Sequence, residues 1–532
     1  MMNFTNRTRL ILAVTMLWCA AARGYFLDDI GITTMRAATN LDGSGIRVAQ
    51  PEASLTLDNL TWEVNPATVG LPAAKFTYTS TLGTATNFPN AIGADSSHAT
   101  SAVGTYFYGL SYGSATNVAR VDNYEANYFI NNIVSTLTPI AASIVNQSFV
   151  DTDTNFQTAY DTAYDNYAAQ FHTLFVSGAG NGSAVFPPST CYNGISVGAY
   201  YDYANQGSIG PTPFGGRCKP DITAPSVYTS TTTPLVAGAA AMLEQAALRG
   251  DGGGNTNLAF DLRTIKALLL NGAVKSANWT NANSAPLDAR YGAGVLNIFN
   301  SWKQLTGGKR GYIVSNSVLL HQPHPPTGAT GTVSALFGWD FTTNTSTSLS
   351  PKSDGINHYF FNVSNSLAAV KFSATATLVW HRHSGQTYIN NLNLYLYNCA
   401  NSNLVLCSTS AVDNVEHLWT NSLAQGRYDL QVWKAGGTGL PGDTNFVSGD
   451  EPYALAWEFV PPPALAISGG PNAVLTWPSY PAGFLVEART NLLSGAWSTN
   501  GFGVPLVTNT VNGQPLNATN ATQFFRLRKP NL

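Results

Sequence analysis

Charge is what this 532-residue chain has least of: Asp, Glu, Lys and Arg together make up only 10% of it, against roughly 25% in an average soluble protein. The formal net charge is −3, so no basic field exists to hold a phosphate backbone and nucleic acid is excluded as an expected partner. There is no CxxC and no HExxH pattern, which removes the usual structural-zinc and zinc-hydrolase spacings. After the N-terminal segment no apolar run approaches the ~20 residues that cross a bilayer, and no membrane span is expected. No strong internal repeat is present. What fills the chain instead is Asn, Thr, Ser and Gly, with 48 glycines, a balance that suits a β-rich exported protein.

The N-terminus agrees with export. Arg7 and Arg9 precede the apolar stretch LILAVTMLWCAAA, and Ala20, Ala21 and Ala22 offer small side chains for cleavage, so residues 1–22 read as a signal peptide and the protein as secreted, extracellular or associated with the cell envelope. Trp18 before Cys19 argues against a lipid anchor, where a small residue is needed. The remaining cysteines, Cys191, Cys218, Cys399 and Cys407, are even in number. In an oxidising compartment that favours disulfides: Cys399 with Cys407 across the hairpin CANSNLVLC, and Cys191 with Cys218.

At this length three domains are expected. Up to about residue 305, short apolar strands such as GIRVAQ, ASIVNQSF, TLFVSGAG and GISVGAY alternate with helical stretches such as TNFQTAYDTAYDNYAAQF, LVAGAAAMLEQAAL and DLRTIKALLLNGA. That alternation predicts a mostly parallel α/β sheet over residues 23–305. Over residues 306–460 the helical pattern stops. NHYFFNVS, AVKFSATATLVWH, NLNLYLYNC, RYDLQVWKA and YALAWEF predict an antiparallel β-sandwich. The linker VPPPALAI then leads into a small all-β module over 464–532, with AVLTWPS, FLVEART and QFFRLR as strands.

Residues 229–233 place five hydroxyl side chains in a row before Pro234 and an apolar run of small residues. Taken alone this is a helix cap. Three other stretches change the reading: GSGIRVAQPEAS at 43–54, SSHATSAVG at 96–104 and SGAGNGS at 177–183. Together the four supply what a serine hydrolase requires: a nucleophile, a base, an acid to orient the base, and an oxyanion donor.

In that order and spacing the chain resembles the subtilisin-like serine proteases, the subtilases, over about residues 28–302. YTSTTTPLVAG (228–238) is similar to the family's nucleophile motif, which places Ser230 as nucleophile. SSHATSAVG is similar to the motif of the base and implies His98. SGAGN (177–181) is similar to the oxyanion stretch and implies Asn181. KPDITAP (219–225) and YGAGVLNI (291–298) match two further family segments. By the same resemblance Ser148, in NQSF, and Gly178 bind the substrate backbone, and the substrate is a polypeptide. The family's acid is an aspartate at the end of the first strand; VAQPEAS (48–54) puts Glu52 there, with Asp58 and Asp95 as competing acids. The sandwich resembles β-domains appended to bacterial subtilases, and the last module resembles short C-terminal β-domains of exported bacterial proteins.

Three departures from the family pattern bear on activity. The acid is Glu52, Tyr228 and Thr231 replace the usual Gly and Met, and too few residues follow the signal for a folded propeptide. They leave a second reading open, a catalytically inactive relative that works as an extracellular binding or structural protein through its β-domains. Calcium is common in the family. Asp151-Thr152-Asp153 begins like a calcium loop, but Phe156 and Thr162 stand where a turn glycine and a bidentate Glu belong, so a helix cap is expected there, no calcium site is readable and no cofactor is expected. A monomer is the default expectation.

Overall fold

A computed structural model describes residues 25–182, 184–201, 208–209, 216–313, 331–345, 356–366, 370–386, 389–434, 450–469, 473–499, 501–502, 505–508, 510–516 and 523–528. The expected signal segment 1–22 lies outside the described residues.

The first half is built on one eight-stranded sheet. Its strands are β1 (Arg47–Glu52), β2 (Phe76–Ser80), β3 (Gly83–Ala85), β4 (Arg120–Glu125), β5 (Ile144–Gln147), β6 (Leu174–Gly178), β7 (Ile195–Ala199) and β8 (Ile222–Ala224), in the order β8-β7-β6-β5-β1-β4-β2-β3. Every pairing is parallel except β2 with the edge strand β3. Strands β5 to β8 are buried at every position, as a sheet covered on both faces requires. The motifs KPDITAP and YGAGVLNI lie side by side: Ala293 donates its N–H to the Asp221 carbonyl (2.8 Å) and Leu296 to that of Thr223 (2.8 Å). They complete the sheet edge, and their residues are structural.

The principal helices are α1 (Gln157–Phe171), α2 (Thr229–Arg249), α3 (Leu262–Asn271) and α4 (Ile298–Thr306). Helix α2 is buried along almost its whole length because its side chains are small where it crosses other chain: a Cβ at Gly238 would stand 2.5 Å from Ser114 Cβ and 3.0 Å from the Phe107 carbonyl oxygen. Asp153 caps the turn that leads into α1, accepting from Asn155 N–H. Among the described residues no cluster of His, Cys, Asp or Glu has the arrangement of a metal site, and no helix is long and apolar enough to cross a membrane.

Beyond residue 330 the structure is antiparallel. Strands β9 (Phe337–Thr345), β10 (Ile356–Val363), β11 (Phe372–Trp380), β12 (Leu392–Asn398), β13 (Leu404–Ser408), β14 (Val415–Leu423), β15 (Gly426–Lys434) and β16 (Asp450–Val460) form two facing sheets, ordered β9-β16-β11-β14 and β10-β15-β12-β13. A second core fills the space between them. The first of these sheets is covered on its other face as well. Trp339, Val379, Val415, Ala454 and Ala456 belong to the same hydrophobic cluster as α3 and α4, which is why all nine residues of β11 are buried. Polar groups close the seam: Thr375 and Thr377 hydroxyls donate to Asn271 Oδ1 (3.1 and 2.9 Å), and Trp339 Nε1 donates to the Leu305 carbonyl (3.2 Å). The last strands, from Ala466 to Arg528, make two small antiparallel sheets around Leu475, Trp477 and Val486.

Both expected disulfides are corrected by this arrangement, for all four described cysteines are free thiols. In the β12–β13 hairpin Cys407 stands opposite Tyr395, while Cys399 lies past the strand end in the turn closed by Asn398 N–H and the Asn403 carbonyl (2.9 Å). Four residues of strand, roughly 13 Å, therefore separate Cys399 from the position facing Cys407, against the ~7 Å limit for a bridge. Cys191 and Cys218 are buried, but each takes a different backbone partner, Gly194 for Cys191 and Leu287 for Cys218.

Candidate active site

At the carboxyl ends of the central strands a cavity of about 300 Å³ is lined by residues from all four sequence stretches, among them Glu52, His98, Gly178, Asn181 and Ser230, and by Ser148. Strand β1 ends on Glu52, whose side chain is 1% exposed. His98 begins a wide helical turn, His98–Gly104, which Gln50 ties to β1: its Nε2 donates to the Ala99 carbonyl (2.9 Å) and its Oε1 accepts from Tyr108 (2.6 Å). Glu52 and His98 thus approach on fixed elements, with Nδ1 of the imidazole 2.7 Å from Glu52 Oε1. Burial by itself would lower the His98 pKa, but the charge and the hydrogen bond of Glu52 outweigh it and hold it above its ordinary 6.5.

The competing acids are placed elsewhere. Asp95 accepts from Thr100 Oγ1 (2.9 Å) and Asn65 Nδ2 (3.1 Å). Asp58 sits on an exposed loop, accepting from Thr56 and from Leu60 N–H.

Ser230 lies in the first turn of α2. Pro234 has no N–H, so the carbonyl of Ser230, four residues earlier, has no helical donor; Ser148 Oγ takes that place at 3.3 Å. The helix lacks a side-chain cap from its own N-cap residue Tyr228. Asn181 supplies one from outside, its Oδ1 accepting from Thr229 N–H (2.8 Å) and Thr229 Oγ1 (2.9 Å). These bonds use only the amide oxygen of Asn181, and Asn181 lines the cavity together with Ser230. The threonines around Ser230 do less for the first turn than their composition implies. Thr231 Oγ1 donates to the Tyr228 carbonyl, and Thr232 and Thr233 to that of Thr229, so they bond backward to carbonyls, and of the four only Thr229 lines the cavity.

His98 and Ser230 line the same cavity, and among the described residues no hydrogen bond joins them; contacts of this kind tighten when substrate binds. Sequence reasoning missed Gln50, which carries no signal beside an acidic residue, and the apolar lining of Leu55, Phe149, Val150 and Phe186, which belongs to loops with no periodicity to read. Among the described residues that line the cavity, Glu52 and His98 alone have ionisable side chains.

Comparison with known proteins assigns the class. Residues 86–294 match the model of the subtilase family, Peptidase_S8, which supports a serine-type peptidase. The matched range holds His98, Ser148, Gly178, Asn181 and Ser230, while Glu52 lies ahead of it. No curated protein matches the chain. Among solved structures, the prenylagaramide maturation protease PagA is 21% identical, over 52% of this chain and 99% of its own, with a TM-score of 0.35. A protease from Pseudoalteromonas arctica is 16% identical, over 53% and 96%, at 0.34. The epidermin leader peptide processing serine protease EpiP from Staphylococcus aureus is 15% identical, over 53% and 80%, at 0.33.

Proposed function

We propose that the protein is a secreted serine endopeptidase that cleaves polypeptides through an acyl-enzyme on Ser230. The observation that carries the reading is the 2.7 Å contact of His98 Nδ1 with Glu52 Oε1 beside a cavity that also holds Ser230 and Asn181. A carboxylate on Nδ1 fixes the tautomer in which Nδ1 bears the proton and Nε2 is free to accept one. Ser230 Oγ attacks the scissile carbonyl carbon and passes its proton to Nε2. The oxyanion is met by Asn181 Nδ2 and by the positive end of α2. As the tetrahedral intermediate collapses, the C–N bond breaks and the imidazolium gives its proton to the leaving amine. Water then repeats the sequence and frees Ser230.

The uncharged lining favours an uncharged, apolar substrate side chain next to the scissile bond. The departures at 228 and 231 leave the turn around the nucleophile intact: Tyr228 is extended at φ −127°, and Thr231 bonds to the Tyr228 carbonyl at 2.9 Å. Export rests on the N-terminal basic and apolar pattern. No cofactor is part of the mechanism.

A fluorophosphonate probe followed by peptide mapping tests it. Wild type should label on Ser230 and Ser230→Ala should not. A folded wild type that never labels would establish the alternative, a binding protein on an inactive scaffold.

A further inference from the structure

The cavity wall that carries Phe186 continues through Ala184–Gly194 back into the sheet at β7, and on the way it enters the sandwich. Tyr192 is 1% exposed, and it belongs to the hydrophobic cluster of the sandwich rather than to that of the sheet that it precedes. Asn193, also 1% exposed, grips the sandwich backbone at both polar atoms of one residue: Arg382 N–H donates to Asn193 Oδ1 (2.9 Å), and Asn193 Nδ2 donates to the Arg382 carbonyl (2.9 Å). Asn414 of the sandwich donates from Nδ2 to the Tyr192 carbonyl (3.0 Å). Two buried guanidinium groups lie over the Tyr192 ring, Arg217 at 4.1 Å and Arg382 at 5.3 Å, and they are paired with Asp161 and Asp165 of α1.

From that anchor a short run of contacts leads to the site. Cys191 N–H donates to the Pro188 carbonyl (3.4 Å), Ser189 N–H to that of Phe186 (3.0 Å), and Phe186 N–H to that of Ala179 (3.2 Å). Asp151 N–H donates to the Pro187 carbonyl (2.8 Å), tying the same segment to the strand end that follows Ser148. The segment lacks regular secondary structure, so its shape is set by these contacts and by its two ends.

We infer that the β-sandwich is part of the working peptidase: through Tyr192 and Asn193 it fixes the wall that positions Phe186 and the neighbouring Asn181, and Asn193 is a positioning residue for the reaction. The inference rests on the reading of Ser230, His98 and Asn181 as the reacting groups. It requires that loosening this anchor harm turnover beyond any loss of stability, because a displacement of about 1 Å at a reacting geometry costs up to 10²-fold.

The test compares Asn193→Ala with Asn271→Ala. The second breaks the seam at Thr375 and Thr377, away from the cavity wall. Both are assayed well below their melting temperatures for kcat and KM on a peptide substrate and for the rate of fluorophosphonate labelling at Ser230. The expected result is a tenfold to 10²-fold slower labelling and lower kcat for Asn193→Ala, with Asn271→Ala near wild type at a comparable Tm. Should Asn193→Ala fail to fold, Asn414→Ala carries the same expectation. Equal rates in the wall variant and wild type, or equal losses in wall and seam variants, overturn the inference. A wild type that does not label overturns the peptidase reading instead.

Discussion

At the scale of single residues the chemistry turns on one carbon atom. A glutamate reaches about 1.5 Å further than an aspartate, and here the longer arm is matched by where β1 ends, since Glu52 Oε1 meets His98 Nδ1 at 2.7 Å with the carboxylate almost wholly buried. Two consequences follow in the proposed mechanism. Glu52→Gln should fold but lose turnover by roughly 10⁴-fold, because the amide can donate to Nδ1 and stabilise the wrong tautomer; kcat on a peptide substrate reads this, and full activity in the variant would reassign the acid. The base must also be neutral to accept a proton. With the His98 pKa held above 6.5 by Glu52, the acid limb of kcat/KM in wild type should lie above pH 6.5, and the residual activity of Glu52→Gln should show that limb moved to lower pH.

At the scale of the element, helix α2 shows how a buried support is built around polar exceptions. Its alanines and Gly238 let it lie close against its neighbours. Its one fully buried acid, Glu244, accepts from Ser143 Oγ at 2.5 Å and leaves Oε1 without a partner. Burial raises its pKa from 4.5 to about 8, against the smaller opposing effect of the Ser143 bond. The proton is therefore bound more tightly in the folded chain than in the unfolded one. Stability from this group is complete below about pH 4.5 and is lost as pH rises through about 8. Glu244→Gln should leave Tm nearly unchanged at pH 5 and raise it relative to wild type at pH 9. Melting curves at the two pH values check this, and an equal shift at both would contradict it.

At the scale of the molecule, the sandwich and the α/β sheet share one hydrophobic cluster. They also share buried polar contacts that would be orphaned if they parted, including Gln304 Nε2 to Glu458 Oε2 (3.1 Å) and Cys218 N–H to Asp413 Oδ1 (2.7 Å). Leaving such groups unpaired costs about 1–3 kcal/mol each, so separate melting of the two parts is disfavoured. Calorimetry should record one cooperative transition for residues 25–460, and the sandwich expressed without the preceding sheet, lacking Tyr192 from its core cluster, should be less stable. Two well-separated transitions, with the sandwich surviving the first, would contradict this account.

What the sequence determined by itself was local. Alternating short strands and helical stretches set the parallel sheet, period-two strands set the sandwich, and short motifs singled out Glu52, His98, Ser148, Gly178, Asn181 and Ser230, all of which line one cavity. Local pattern could carry this because strand and helix periodicities and turn residues are written in neighbouring positions. The elements Phe337–Thr345, Val415–Leu423 and Ile298–Thr306 escaped that reading. The motif put Glu52 ahead of the competing Asp58 and Asp95, but only the tertiary structure, folding 46 residues of chain back, brought its carboxylate to His98. It also decided that the cysteines stay apart, because a five-residue turn at 399–403 sets the hairpin register and places Cys399 off the ladder. The same is true of Tyr192, whose ring belongs to the core of a sandwich that begins more than a hundred residues later. Such contacts are set by packing and hydrogen-bond geometry between distant segments, which no window of neighbouring residues contains.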